Sequence, residues 1–227
     1  MKFFTYNETM DRQVKMIQAR VRQLMNGEVA QQLQNAGYSY RKLYGVSLVH
    51  LRQLSQEFKP SNEIAERLWF MNIREMMILA TMIAERDTLT DEKLSEWADG
   101  ITNIELAEQV AFNLLGKRQS SLKILEKWIL HPQVFVRYAA LMSIGWQYRF
   151  AGEGLSAFLQ DNLSTIEALA GDNRLVRAVA HCLKMAGRFD KKFQPKVVGL
   201  ARKWIASDMN HLKQAGEEIL FEIEAAG

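Results

Sequence analysis

Nine of the ten charged residues between Arg174 and Lys203 are basic: Arg174, Arg177, Lys184, Arg188, Lys191, Lys192, Lys196, Arg202 and Lys203, against Asp190 alone. That stretch carries a formal +8 while the whole chain carries +3, so the rest of the chain is net acidic and the positive charge is concentrated. A concentrated positive field suits a polyanion. Nucleic acid is the first candidate, because each neutralised phosphate releases condensed counterions and adds affinity. The plainer reading is a basic, solvated pair of helices. Beside these cations stands an aromatic and basic set: Trp69, Trp97, Trp128, Trp146 and Trp204 with Arg137, Arg149 and Lys184. A tryptophan face attracts a cation, and alkylation turns a purine into one. Core anchoring is the simpler role of any single tryptophan.

Other chemistry is missing from the residue pattern. Gly116-Lys117 lacks the earlier glycine and the following hydroxyl residue of a phosphate-binding loop. His50, His131, His181 and His211 are far apart and out of helical register, which argues against a metal site. The chain contains neither a Gly-x-Ser-x-Gly elbow nor a dinucleotide fingerprint, so no cofactor is expected. Cys182, between Val179 and Leu183, reads as a small core residue, and a single cysteine excludes an internal disulfide. A reducing, cytoplasmic location is expected. The first residues turn polar after Phe4, unlike a secretory signal, and the longest apolar run, Met76 to Ala84, is far short of the ~20 residues that cross a bilayer.

The elements that would position these residues all read as helix. Apolar residues recur at spacings of three and four, and no stretch alternates with period two. Ile73, Met76, Met77, Ala80, Ile83 and Ala84 form one stripe, with Arg74 and Glu75 set aside from it. Val134 to Ile144 is apolar on almost every face apart from Arg137, the mark of a central helix covered on both sides. Thr102 with Glu105, and Ser164 with Glu167, have capping-box spacing, and Thr90 precedes Asp91 and Glu92 as a helix start. Pro60, Pro132 and Pro195 sit where helices begin or loops turn. Gly37, Gly100, Gly116, Gly171 and Gly187 follow apolar runs as stops. These signals predict about a dozen helices of roughly 10–18 residues with short loops, paired with a period of about 35–45 residues. With 227 residues, 48% hydrophobic composition and no Gly/Ser-rich linker, the expectation is a single all-α domain over residues 1–227, an α-solenoid of antiparallel helical pairs.

Several blocks, read in order, resemble the bacterial DNA alkylation repair family, the HEAT-like repeat DNA glycosylases. They are Tyr44-Gly45-Val46-Ser47-Leu48, Leu68-Trp69 with Ile78-Leu79-Ala80, and Thr90-Asp91-Glu92 leading to Trp97. Asn103-Ile104-Glu105-Leu106-Ala107-Glu108-Gln109-Val110 comes next, then Trp128 with Val136-Arg137-Tyr138-Ala139, then Arg177-Ala178 with Leu183-Lys184 and Gly187. The resemblance implies a C-shaped stack of HEAT-like repeats whose basic concave face holds double-stranded DNA. It also implies a site for excising N3- or N7-alkylated purines, in which a carboxylate stabilises an oxocarbenium-like transition state.

In the family's motif that carboxylate is an Asp four residues after a tryptophan. Here the tryptophan is Trp128 and the fourth residue on is Pro132, which can neither stabilise a cation nor take a proton from water. The family's downstream arginine corresponds to Lys184, which keeps the charge without the planar fork. The expectation is therefore a monomeric DNA-binding member, weak or inactive as a glycosylase. It would contact DNA through Arg137, Arg149, Arg174, Arg177, Lys184, Arg188, Lys191 and Lys192, with Trp128 and Lys184 as candidate site residues. The alternatives are an active N3/N7-alkylpurine DNA glycosylase with a different acid, and a helical-repeat scaffold for a protein partner.

Overall fold

The computed structural model describes residues 4–38, 40–119, 121–150 and 155–225 of the chain. Among them every regular element is helical, apart from an isolated backbone bridge between Lys42 and Ile73. The helices are α1 (Glu8–Gln23), α2 (Gly27–Asn35), α3 (Leu48–Ser55), α4 (Asn62–Trp69), α5 (Arg74–Ile83), α6 (Asp91–Ala98) and α7 (Ile104–Asn113), followed by a 3-10 turn at Leu115–Lys117. Then come α8 (Leu122–Ile129), α9 (Val134–Phe150), α10 (Leu155–Leu169), α11 (Val176–Phe189), α12 (Gln194–Ile205) and α13 (Asn210–Glu224). Several are shorter than the spacing predicts, because polar caps such as Ser47, Ser61 and Thr90 start them abruptly, each accepting a backbone N–H from the first turn. None of the described helices is long and apolar enough to cross a membrane.

The chain forms two compact units, Met1–Gln109 and Val110–Gly227. In the first, α5 packs against α3 and α4, and α4 against α1. The Met-rich stripe is buried from Ile73 to Ile83, as its period predicts, and Trp69 stacks on Trp97 with ring centroids 4.5 Å apart and planes 8° from parallel. Arg74 and Glu75 are not set aside from this core: both lie inside it. Glu75 accepts the backbone N–H groups of Tyr44, Gly45 and Val46 at 2.9, 3.0 and 3.3 Å. Gly45 has φ +73, and a Cβ there would collide with the backbone oxygen of Asn26, so only glycine fits the turn that Glu75 clamps. Arg74 donates two bonds to Glu105, at 2.8 and 2.5 Å, and one each to Glu75 and to the Val46 carbonyl. Charge pairing and bonded lone pairs offset the desolvation of both side chains.

Glu105 therefore serves Arg74 and not a capping box with Thr102. The cap of α7 is Asn103, whose Oδ1 accepts the Leu106 N–H at 3.0 Å. Two other terminus signals yield to tertiary packing. Ser164 and Glu167 lie inside α10, and Gly187 lies inside α11, where its missing side chain admits Ile223. Pro195, by contrast, occupies the first turn of α12, as its lack of an N–H predicts.

In the second unit the helices form two layers. The long α9 packs against α8 and α11, and α11 against α13, so α9, α11 and α13 lie side by side. α12 bridges α11 and α13, while α10 contacts α8, α9 and α11. The all-round apolar surface of α9 is explained by this central place: Val136 and the unbroken run Tyr138 to Gly145 are buried. Gln147, also buried, donates to the carbonyls of Leu115 and Arg118 at 2.7 and 2.8 Å and thereby ties the 3-10 turn to α9.

Candidate functional site

A cavity of about 640 Å³ opens along α9, α11 and α13. Each helix supplies one stripe. Met142, Trp146 and Arg149 come from α9 at helical spacing, and Arg177, His181, Lys184 and Arg188 come from α11 at steps of four, three and four, with Met185 and Phe189 beside them. α13 adds Glu218 and Glu222. The local sequence explains the closeness of α9 and α11. Gly145 carries no side chain where His181 crosses, and a Cβ there would lie 2.4 Å from the imidazole.

Four cations and two carboxylates share the cavity. Lys184 donates to Glu218 at 2.5 Å and Arg188 to Glu222 at 2.6 Å, so α13 locally neutralises half of the cationic groups. Trp146 lines the cavity from α9. Its ring meets Phe112 edge-on at 5.0 Å, Phe150 in a stack at 6.0 Å and His181 at 4.9 Å. The His181 ring is mostly buried, and burial, reinforced by Lys184 and Arg177, lowers its pKa to about 4. It is neutral at pH 7 and adds no charge to the cavity.

That depressed pKa has a consequence for stability. The folded protein resists protonating His181 and the unfolded chain does not, so the contribution is complete above pH 6.5 and is lost as the pH falls toward 4. We expect a loss on the order of 3 kcal/mol across that window. Urea unfolding at a series of pH values should show it, and His181→Phe, which cannot titrate, should flatten the curve. An unchanged slope in that variant would assign the pH dependence to other groups.

The predicted site residues separate. Arg149, Arg177, Lys184 and Arg188 come together on the cavity. Arg137, at the first turn of α9, donates to the His131 carbonyl at 3.1 Å. Arg174 grips Asp172 at 2.7 Å in the turn before α11 and, mainly through that hydrogen bond, pulls the carboxyl down to about 2. Lys191 lines a different groove with Arg202, between α12 and α13, and Lys192 is exposed in the turn before α12. Trp128 is 2% exposed, on the face of α8 turned to the core, and Pro132 is exposed in the loop from α8 to α9. Burial pushes the Cys182 thiol up to about 12, which makes it a packing group and not a nucleophile. No cluster of metal-ligating side chains occurs among the described residues.

Sequence reasoning named Trp146 only among five equivalent tryptophans and did not single out His181, Phe189, Glu218 or Glu222. The spacing of Arg177, His181, Lys184 and Arg188 was the available signal: those four residues share one helix face.

Comparison with known proteins gives two matches. Residues 17–199 match the family model described as DNA alkylation repair enzyme. A solved structure described as belonging to "a new family of proteins related to the HEAT-like repeat DNA glycosylases with affinity for branched DNA structures" superposes with a TM-score of 0.74 at 19% sequence identity, covering 93% of this chain and 94% of that one. At that identity the likeness concerns the fold, which is the HEAT-like helical-repeat fold expected from the sequence. No curated protein sequence matches the chain.

Proposed function

Because the chain belongs to the DNA alkylation repair family, we propose that it binds duplex DNA, intact or alkylated, through the cationic cavity of its second unit, without excising bases at an appreciable rate. The observation carrying this reading is the convergence of Arg149, Arg177, Lys184 and Arg188 around Trp146 on two adjacent helices, α9 and α11. Affinity then comes mainly from phosphate contacts and their counterion release. The affinity for branched DNA ascribed to the superposed relative supports DNA as the ligand class.

Weak chemistry follows from the groups at hand. Pro132 brings no charge, and the cavity's carboxylates, Glu218 and Glu222, are already engaged with Lys184 and Arg188. A carboxylate held by a cation is a poor acceptor for a water proton and a poor stabiliser of a developing sugar cation.

Anisotropy with a fluorescent duplex should show binding that weakens steeply with salt, and Arg149→Ala with Arg177→Ala together should lower the log–log slope by about 2. An absence of binding at low salt would overturn the proposal. For the chemistry, excess protein with a duplex carrying N7-methylguanine should release base no faster than protein-free depurination, measured by mass spectrometry. Faster release would make the protein a glycosylase.

A further inference from the structure

Two exposed aromatic rings stand at matching places in the cavity-forming helices. Phe150 is the last residue of α9 and is 44% exposed; Phe189 is the last residue of α11 and is 48% exposed. Each follows an arginine whose guanidinium lies near its ring, Arg149 at 5.9 Å from Phe150 and Arg188 at 5.5 Å from Phe189. Phe150 also stacks on Trp146, 25° from parallel, and so lies between the indole and solvent-facing Arg149 at the end of α9. Phe189 lines the cavity itself.

Apolar ring surface left in water is unfavourable by roughly 25 cal/mol per Å². A ligand that covers it here needs a flat apolar face and an attached anion, since each ring is flanked by a cation. A nucleobase on its phosphate has both properties. In a closed duplex, however, the base faces are covered by their neighbours and only base edges and backbone meet a protein. The cavity's volume of about 640 Å³ is also within the range of sites that enclose a single small ligand, so an unpaired nucleotide can enter it, whereas a duplex can only lie across its cationic rim. Glu218 and Glu222 act in the same sense. They face the cations from α13, disfavour a second phosphate chain on that side, and can accept hydrogen bonds from exocyclic amino groups.

We infer that the α9–α11 cavity, with Phe150 beside it at the end of α9, is a subsite for unpaired nucleotides of DNA, in which Phe189 and Phe150 stack the base while Arg149 and Arg177 meet the phosphates. The inference rests on the DNA-binding reading above and names the part of the ligand that this cavity takes. The duplex contributes charge neutralisation. The unpaired nucleotide contributes specificity.

The test compares three labelled ligands with the full-length protein at one salt concentration: a blunt duplex, the same duplex with a short unpaired tail, and that duplex with an abasic tail of equal length. The base-bearing tail should raise affinity about tenfold or more over the blunt duplex, and the abasic tail should add little beyond its charge. Phe150→Ala with Phe189→Ala should bring the tailed and blunt affinities together. Both positions are exposed, so circular dichroism and urea unfolding should show that the variant folds. Equal affinity for all three ligands, a gain from the abasic tail as large as from the base-bearing one, or a preference that survives the double substitution would overturn the subsite while leaving duplex binding intact. Failure of every ligand to bind would instead overturn the DNA-binding reading.

Discussion

Glu75→Ala should lower stability by roughly 3–5 kcal/mol, which for a chain of this size is about 10 °C or more in Tm. The substitution strips the acceptor from three backbone N–H groups in the Tyr44–Val46 turn and leaves Arg74 without one of its two carboxylate partners. None of these groups can turn to water, because the site is closed. Glu75→Gln keeps one acceptor oxygen and should cost distinctly less. Thermal or urea unfolding of the two variants decides the point: equal and small losses would mean that the turn is held by its apolar contacts alone.

Trp128→Ala should destabilise by a similar amount, about 3–5 kcal/mol, through the cavity left behind α8. Its side chain is on the buried face of that helix, which packs against α9. Trp128→Phe should recover a good part of the loss, because a large apolar ring still fills the space. Urea unfolding measures both. A protein that loses little stability as Trp128→Ala would return Trp128 to the ligand site that the family resemblance implies for it.

The helical architecture was legible because local pattern and tertiary role agree in most of the chain. The stripe in α5, the all-round apolar surface of α9 and the first-turn Pro195 each keep in the structure the meaning they have in the sequence. Arg74 and Glu75 did not, since adjacent charges in a helix read as a solvated edge, and the groups that neutralise and bind them lie about thirty positions away, at Glu105 and at Tyr44 to Val46. Ser164 failed for the opposite reason: the capping pattern is present, but packing of α10 against α8, α9 and α11 carries the helix through it.

At the candidate site the concentration of charge was visible and its distribution was not. Arg174 and Lys203 are tied to Asp172 and Glu167, and Lys184 and Arg188 to Glu218 and Glu222, none of which the basic segment itself contains. Formal charge along the chain thus overstates the field that a polyanion meets. Trp146 could not be separated from Trp128 by residue type. The difference is whether the helix face carrying the ring also carries cations, and only Trp146 shares its face with Arg149 at the cavity.

Lys184 meets Glu218, and Arg188 meets Glu222, each pair 34 residues apart. Equal offsets on two rungs mean that α11 and α13 run parallel and in fixed register. The Arg74–Glu105 pair spans 31 residues and Lys203–Glu167 spans 36, so these four links close over nearly the same short loop of chain. Such a molecule can acquire its structure progressively, each turn of the stack settling on the one before it. On the ribosome, at ~5–20 residues per second, the partner of each of these side chains is synthesised within roughly 2–7 s. The protein can thus begin to bury its apolar surface long before its last helix is made.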